Sequence, residues 1–308
     1  MNQQPNFYNT LKNILEQEEN VLEMFFIFRD KTIKRAQLSN DTSEMLLEMF
    51  LGILQNTINE DTEYKSINEF DENSRENEYV YFKNDNIYEG ISFLVEYWEQ
   101  LDNIDPANAL EDNIFGLLFK IGISDNYILL YQQCYAMSFL GKGKFKSLFV
   151  EGGVFEQVNQ DILNISPKID FVIDKDFFLI LNQSPLEIQY GYKEVILKEA
   201  QNIIDTISAI NFVENLNILQ ENLNPTNAKK LRKTDEKVLK MLENRFEEVK
   251  SFVENHTKLK GNLKFNENNK IEITSKKEMK FFIKLLTNDY LHSLLTNEDF
   301  DSSSKRKL

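Results

Sequence analysis

Lysines at regular spacing are the residues of this chain best placed to do chemistry. Lys230, Lys233, Lys237 and Lys240 recur so that, at about 100° per residue, they share one side of a helix opposite Val238, Leu242, Phe246, Val249 and Val253. Lys229 and Arg232 extend that group. Lys142, Lys144 and Lys146 alternate along a predicted strand and so share one face, and Lys305, Arg306 and Lys307 close the chain. Each can neutralise a phosphate, releasing counterions and making binding salt-dependent. A solvated helix face and a free tail have the same composition, so both readings stand at the level of sequence. Aromatic residues do not interleave with these charges, so bound nucleic acid should be duplex held by its backbone rather than bases on a stacking platform.

The acidic candidates are Asp170, Asp174 and Asp176, on or beside a predicted hairpin. A Mg²⁺-dependent nuclease would place an acidic residue on one strand and Glu-x-Lys on the next. No Glu-x-Lys follows at that place, and Asp174-Lys175-Asp176 has ordinary turn composition. One Cys and two His cannot supply a tetrahedral metal set, which leaves only a carboxylate site for Mg²⁺. His256 and His292 read as structural or surface histidines, and Cys134 as a small core hydrophobe in an apolar strand pattern. No nucleophile elbow, Walker loop or dinucleotide fingerprint is present, and Gly141-Lys142-Gly143-Lys144 reads as a turn rather than an anion cradle. The residues therefore predict neither a catalytic centre nor a cofactor, with a nuclease as the enzymatic alternative.

The net charge of -15 argues against bulk attraction to nucleic acid, but the charge is unevenly placed. Residues 225–308 carry 19 Lys and Arg against 13 Asp and Glu, a net of +6, which leaves -21 for the rest. That asymmetry points to a localised polyanion site, and to an acidic N-terminal part able to dock on a basic partner surface. No apolar run approaches the ~20 residues of a membrane span. The N-terminus has neither a basic nor an apolar leader region, and a single Cys excludes an internal disulfide; a cytoplasmic protein is expected.

The elements that must position these residues predict an α+β fold. It has a mixed, largely antiparallel sheet with flanking helices, then a helix-rich part with a β-hairpin. The sequence divides into an acidic sheet-containing domain, residues 1–188, and a basic helical domain, residues 189–308. Helical spacing runs from Leu11 to Phe25, leading into a buried strand, and from an Asp41–Glu44 capping pair through Leu54. Asn59 to Asn77 reads as a surface loop and Tyr79 to Phe82 as a strand. Phe93 to Leu101 reads as a helix, and Pro106 opens another carrying Leu110, Ile114, Leu117 and Leu118. Strands are predicted at Tyr127–Tyr131, Cys134–Leu140 and Phe145–Val150, and a hairpin at Ile169–Ile173 and Phe177–Leu181. Ile196, Ala200, Ile203, Ile207 and Ile210 line a long helix. One further helix follows Pro225 and carries the Val238 to Val253 stripe; a hairpin at Leu263–Thr274 and a helix from Lys276 come after it. The tail from Phe281 alternates apolar anchors with turn residues and should fold back on the body.

Three passages together resemble the KwaB family of the bacterial Kiwa anti-phage system. They are IDFVIDKDFFLILN (Ile169–Asn182) followed by Glu187, the lysine-rich segment Lys229–Leu286, and the terminal LLTNDYLHSLLTNEDFDSSSKRKL. The resemblance covers about residues 120 to 308, with Phe300 and Asp301 standing where an aromatic-rich step is expected. It implies a cytosolic DNA-binding effector that blocks phage DNA replication and transcription. It also implies a membrane-embedded KwaA-type partner, recruitment to the inner membrane face, and homodimer formation.

Overall fold

In the computed structural model, Phe7–Leu15 forms the first helix (α1), with Phe7, Leu11 and Ile14 buried along one stripe and the Asn6 side chain accepting the Asn9 N–H at 3.1 Å. The structure describes residues 5–17, 19–67, 77–95, 101–104, 114–123, 126–135, 138–140, 148–151, 154–157, 162–234, 236–293 and 295–302. The helix stops ten residues before Phe25, because Leu22–Phe28 is a strand (β1). Leu22 and Phe25 lie three apart, as on a helix, only because the whole run is apolar; burial on both sides makes it a strand.

A turn with Lys31 at φ 70° returns the chain as Ile33–Ala36 (β2), and the Asp30 carboxylate accepts the Thr32 N–H at 3.0 Å to close it. Asn40–Thr57 (α2) follows. Its cap is Ser39, which accepts the Thr42 N–H at 3.3 Å, two residues before the predicted Asp41. Leu46, Phe50 and Leu54 form the buried stripe. The predicted loop from Asn59 contains a strand, Glu63–Ser66 (β3), parallel to Glu78–Lys83 (β4) and tied to it by the Lys65–Glu78 ion pair. Beyond β4 two 3₁₀ segments, Asn84–Asn86 and Glu89–Leu94, precede residues outside the description, where the Tyr97, Trp98 and Pro106 positions fall.

The clearest departure from the helical pattern is Ile114–Ile123 (β5). Ile114, Leu117 and Leu118 belong to this strand, which pairs antiparallel with β1 and with Asn126–Gln133 (β6). Both of its faces are covered, so the run is continuously apolar and its spacing carries no period. After β6 the chain turns at Tyr135, whose carbonyl accepts the Ser138 N–H at 2.8 Å, so among the described residues of the predicted Cys134–Leu140 strand only Phe139–Leu140 (β7) is strand. Leu148–Glu151 (β8) pairs with Val154–Gln157 (β9), and Ile162–Leu163 (β10) with β7. Phe171–Ile173 (β11) and Phe177–Ile180 (β12) make the expected hairpin.

Eight strands join in the order β2-β1-β5-β6-β11-β12-β4-β3, antiparallel except for β3 with β4. Alternation sorts their side chains. Met24, Phe26, Leu117, Phe119, Leu130, Val172 and Leu179 belong to one cluster with α1 and α2. Phe25, Leu118, Tyr131, Phe171 and Phe178 point the other way, where the Tyr190 ring lies 5.8 Å from Tyr131 and 6.4 Å from Phe171.

The described residues divide into two compact units between Tyr190 and Gly191. The second contains Tyr192–Ile210 (α3), Asn217–Glu221 (α4), Pro225–Leu231 (α5), Glu236–Asn244 (α6), Phe246–Asn255 (α7), Lys264–Phe265 (β13), Ile271–Glu272 (β14) and Lys276–Leu286 (α8). The single helix predicted after Pro225 is thus three. It breaks at the turn before Glu236 and again at Arg245, whose φ of -135° starts a new helix. The tail folds back as expected: Tyr290–Ser293 (β15) and Glu298–Asp301 (β16) pair as a hairpin, with Tyr290 buried and Lys284 bound to Asp301 at 2.8 Å. Among the described residues no helix is long and apolar enough to cross a membrane.

Phe50 is fully buried with its ring 4.4 Å from that of Phe119, joining α2 to the middle of the sheet. Phe50→Ala should lower unfolding free energy by about 3–5 kcal/mol. Urea denaturation checks this, and a loss under about 1 kcal/mol would mean that α2 does not depend on this contact.

Candidate nucleic-acid interface

The predicted basic positions are set out by the short helix α5. The Asn224 side chain caps it by accepting the Asn227 N–H at 2.9 Å, Pro225 fits its first turn, and Ala228 and Leu231 are fully buried. That inward pair leaves Lys229 and Lys230 half-buried in the last turn, where the helix dipole favours cations. Arg232 follows, but its side chain is only 8% exposed. Its Nε lies 3.2 Å from the Glu199 carboxylate and its guanidinium 5.8 Å from the Tyr192 ring centre, so it ties α5 to α3. Lys233 sits half-buried in the turn, and Lys237 and Lys240 are exposed on α6. Lys240 pairs with Glu236 at 3.5 Å in full solvent, a contact worth little. The six positions therefore span two helices and a turn rather than one stripe.

Lys142, Lys144, Lys146, Lys305, Arg306 and Lys307 lie outside the described residues. Lys258 and Lys260 after α7, Lys264 at the start of β13, and Lys276 and Lys280 on α8 are also exposed, and no regular spacing in the sequence marks them. Leu259 and Leu263, four apart among those lysines, were the available signal.

The three aspartates do not converge. Asp170 is buried, with one oxygen accepting the Gln133 N–H and the other the Asn182 amide, both at 2.7 Å. Asp174 accepts the N–H of Asp176 at 2.9 Å and of Phe177 at 2.7 Å, closing the hairpin turn, while Asp176 is exposed. Burial raises both Asp170 and Asp174 above the ordinary carboxylate value. Among the described residues no three His, Cys, Asp or Glu are placed to hold a metal ion. Burial pushes the Cys134 thiol up to about 12, far from a thiolate nucleophile.

The two histidines meet one carboxylate. Asp299 accepts the N–H (2.6 Å) and hydroxyl of Thr257 and lies 2.8 Å from Nδ1 of His292. The Thr257 bonds, then His292, hold Asp299 well below the usual carboxylate range. His256 is enclosed between the Phe252 and Tyr290 rings, its Nδ1 accepting the Lys258 N–H at 3.2 Å. This cluster latches the terminal hairpin to the end of α7.

The Kiwa protein KwaB-like family matches residues 111–296, more than half of the chain. The chain belongs to that family. It is also 27% identical over 214 residues to Kiwa protein KwaB of Escherichia coli O55:H7 (strain RM12579 / EPEC), covering 67% of each protein. No solved structure matches. Membership points to a component of Kiwa anti-phage defence. The KwaB-like region takes in β5, β6, the Asp170–Asp176 hairpin and every helix of the second unit, and it ends before Phe300 and the basic terminus.

Within the KwaB-like region, Asp170 links stability to pH. Its folded value lies above the ordinary 3.8, so the folded chain holds the proton more tightly than the unfolded one. That contribution is fully present below 3.8 and is lost as pH rises through the folded value. Asp170→Asn removes the titration and leaves one good acceptor for two donors, the Gln133 N–H and the Asn182 amide, costing about 1–3 kcal/mol. The deficit should shrink as pH rises from 3.8 through the folded value, as urea unfolding at each pH will show; a constant deficit contradicts the assignment.

Proposed function

We propose that this KwaB-like chain is a non-enzymatic effector of Kiwa anti-phage defence that binds duplex DNA through its phosphate backbone and so obstructs phage replication and transcription. The observation that carries this reading is the charge partition. Residues 191–308 are net +3, the rest of the chain is -18, and the cationic excess is concentrated beyond Pro225. A localised basic surface on an acidic protein directs a polyanion to one place and repels it elsewhere. Lys229, Lys230, Lys233, Lys237 and Lys240 supply phosphate contacts without base recognition, and Arg232 supports them from within. The acidic sheet-containing unit suits a basic cytosolic face of a membrane-embedded partner of KwaA type, which recruits the chain to the membrane as a homodimer.

Charge reversal tests the interface. Lys230→Glu, Lys233→Glu and Lys237→Glu together should weaken binding to unrelated duplexes equally and flatten the plot of log K against log salt by about 0.9 per lost contact. Fluorescence anisotropy on several duplexes at graded salt makes the measurement, with supercoiled plasmid and Mg²⁺ incubated in parallel. Unchanged affinity moves the site elsewhere, and nicked or linear plasmid would make the chain a nuclease.

A further inference from the structure

The segment between α7 and β13 is built as a rigid knuckle with its cations outside. Leu259 and Leu263 are buried, at 0% and 4% exposure, and His256 anchors its start. The His256 carbonyl accepts the N–H groups of Leu259 (3.0 Å) and Lys260 (2.9 Å), the Leu259 carbonyl those of Asn262 (2.9 Å) and Leu263 (3.0 Å), and the Asn262 amide donates to the Lys258 carbonyl at 2.9 Å. Gly261 makes the reversal at φ 76°, where a side chain is strained. Lys258, Lys260 and Lys264 are left pointing to solvent.

These three differ from the ion-paired cations of the unit. Arg232, Lys240, Arg245 and Lys284 each sit within ion-pair distance of a carboxylate. Among the described residues no carboxylate lies within that distance of Lys258, Lys260 or Lys264, even though Glu272 is the register partner of Lys264. What the knuckle combines is three exposed lysines, none within ion-pair distance of a described carboxylate, carried on seven residues of hydrogen-bonded turn. The knuckle shows no apolar anchor for a bilayer, since both leucines face inward. Phe265, the aromatic beside it, is occupied by Phe246 and Lys250 and offers no platform for bases.

We infer that the Lys258–Lys264 knuckle is a phosphodiester contact for duplex nucleic acid, separate from the α5–α6 positions; this rests on the DNA-binding reading above. Its backbone is already fixed, so binding orders only three side chains.

The test is the salt dependence of duplex binding by the intact chain and by Lys258→Gln/Lys260→Gln/Lys264→Gln. The log–log slope should fall by about 2–3 in the triple variant and about 0.9 in each single one, with the unfolding midpoint unchanged. Lys193→Gln/Lys198→Gln, exposed positions on α3, should leave the slope as it is. An unchanged slope in the triple variant, or an equal loss per charge in the α3 control, overturns the knuckle while leaving DNA binding in place. Loss of binding to phosphatidylserine vesicles with DNA binding intact reassigns the knuckle to lipid and also overturns it. Absence of duplex binding by the unsubstituted chain at every salt concentration overturns both the knuckle and the function on which it rests.

Discussion

A ten-residue strand whose middle is shut away from water on both faces requires that its peptide groups be paired and both surfaces be covered. Ile114–Ile123 meets that demand and sets the plan of the first unit. β1 and β6 pair with it on either side, α1 and α2 cover Leu117, Phe119 and Ile121, and the face of Leu118 and Tyr131 packs toward Tyr190. Gly116 belongs to the same constraint, because a Cβ there would stand 2.6 Å from the Tyr131 ring. Even the charge within this run is accommodated: Lys120 lies 3.5 Å from Glu23, which also binds Arg35 at 3.1 Å, so three neighbouring strands share one ion network.

The second unit solves a different problem, that of holding short helices together while leaving cations on the surface. Small inward sets do the holding: Ala228 and Leu231 in α5, Leu239 and Leu242 in α6, Val249 and Val253 in α7. Helices of this length are marginal alone and depend on such burial. Everything outside those positions is free to be polar, and in this unit it is disproportionately lysine. Asp299 adds a polar latch, drawing the terminal hairpin to Thr257 at the start of the knuckle. The geometry of that cationic surface therefore follows from where a few aliphatic side chains are buried.

Legibility in the sequence followed the period of burial. The Phe171–Ile180 hairpin was readable because its turn is local: Asp174 caps it within three residues. Helix α2 was readable because Leu46, Phe50 and Leu54 repeat at one-turn spacing. The strand Ile114–Ile123 was misread as helical because continuous burial erases the period that distinguishes strand from helix. β3 was hidden because an edge strand needs backbone pairing but no apolar pattern, and Glu63-Tyr-Lys-Ser has none. The break at Arg245 was invisible because Leu242, Phe246, Val249 and Val253 keep helical phase across it. Arg232 looked like an available cation because nothing in its neighbourhood announces Glu199, its partner on another helix. The knuckle lysines were missed because their order comes from Leu259 and Leu263 and not from a regular element.

The family was legible in passages without catalytic residues, and the structure gives those passages a physical role: the hairpin completes the sheet, the lysine-rich segment forms the exposed cationic helices, and the tail latches onto the end of α7. Hydrogen–deuterium exchange of the intact chain with and without saturating duplex DNA decides whether the second unit is where nucleic acid binds. Slowed exchange is expected only in the second unit, across α5, α6 and the Lys258–Lys264 knuckle. Protection confined to the first unit, or no protection at all, would contradict it.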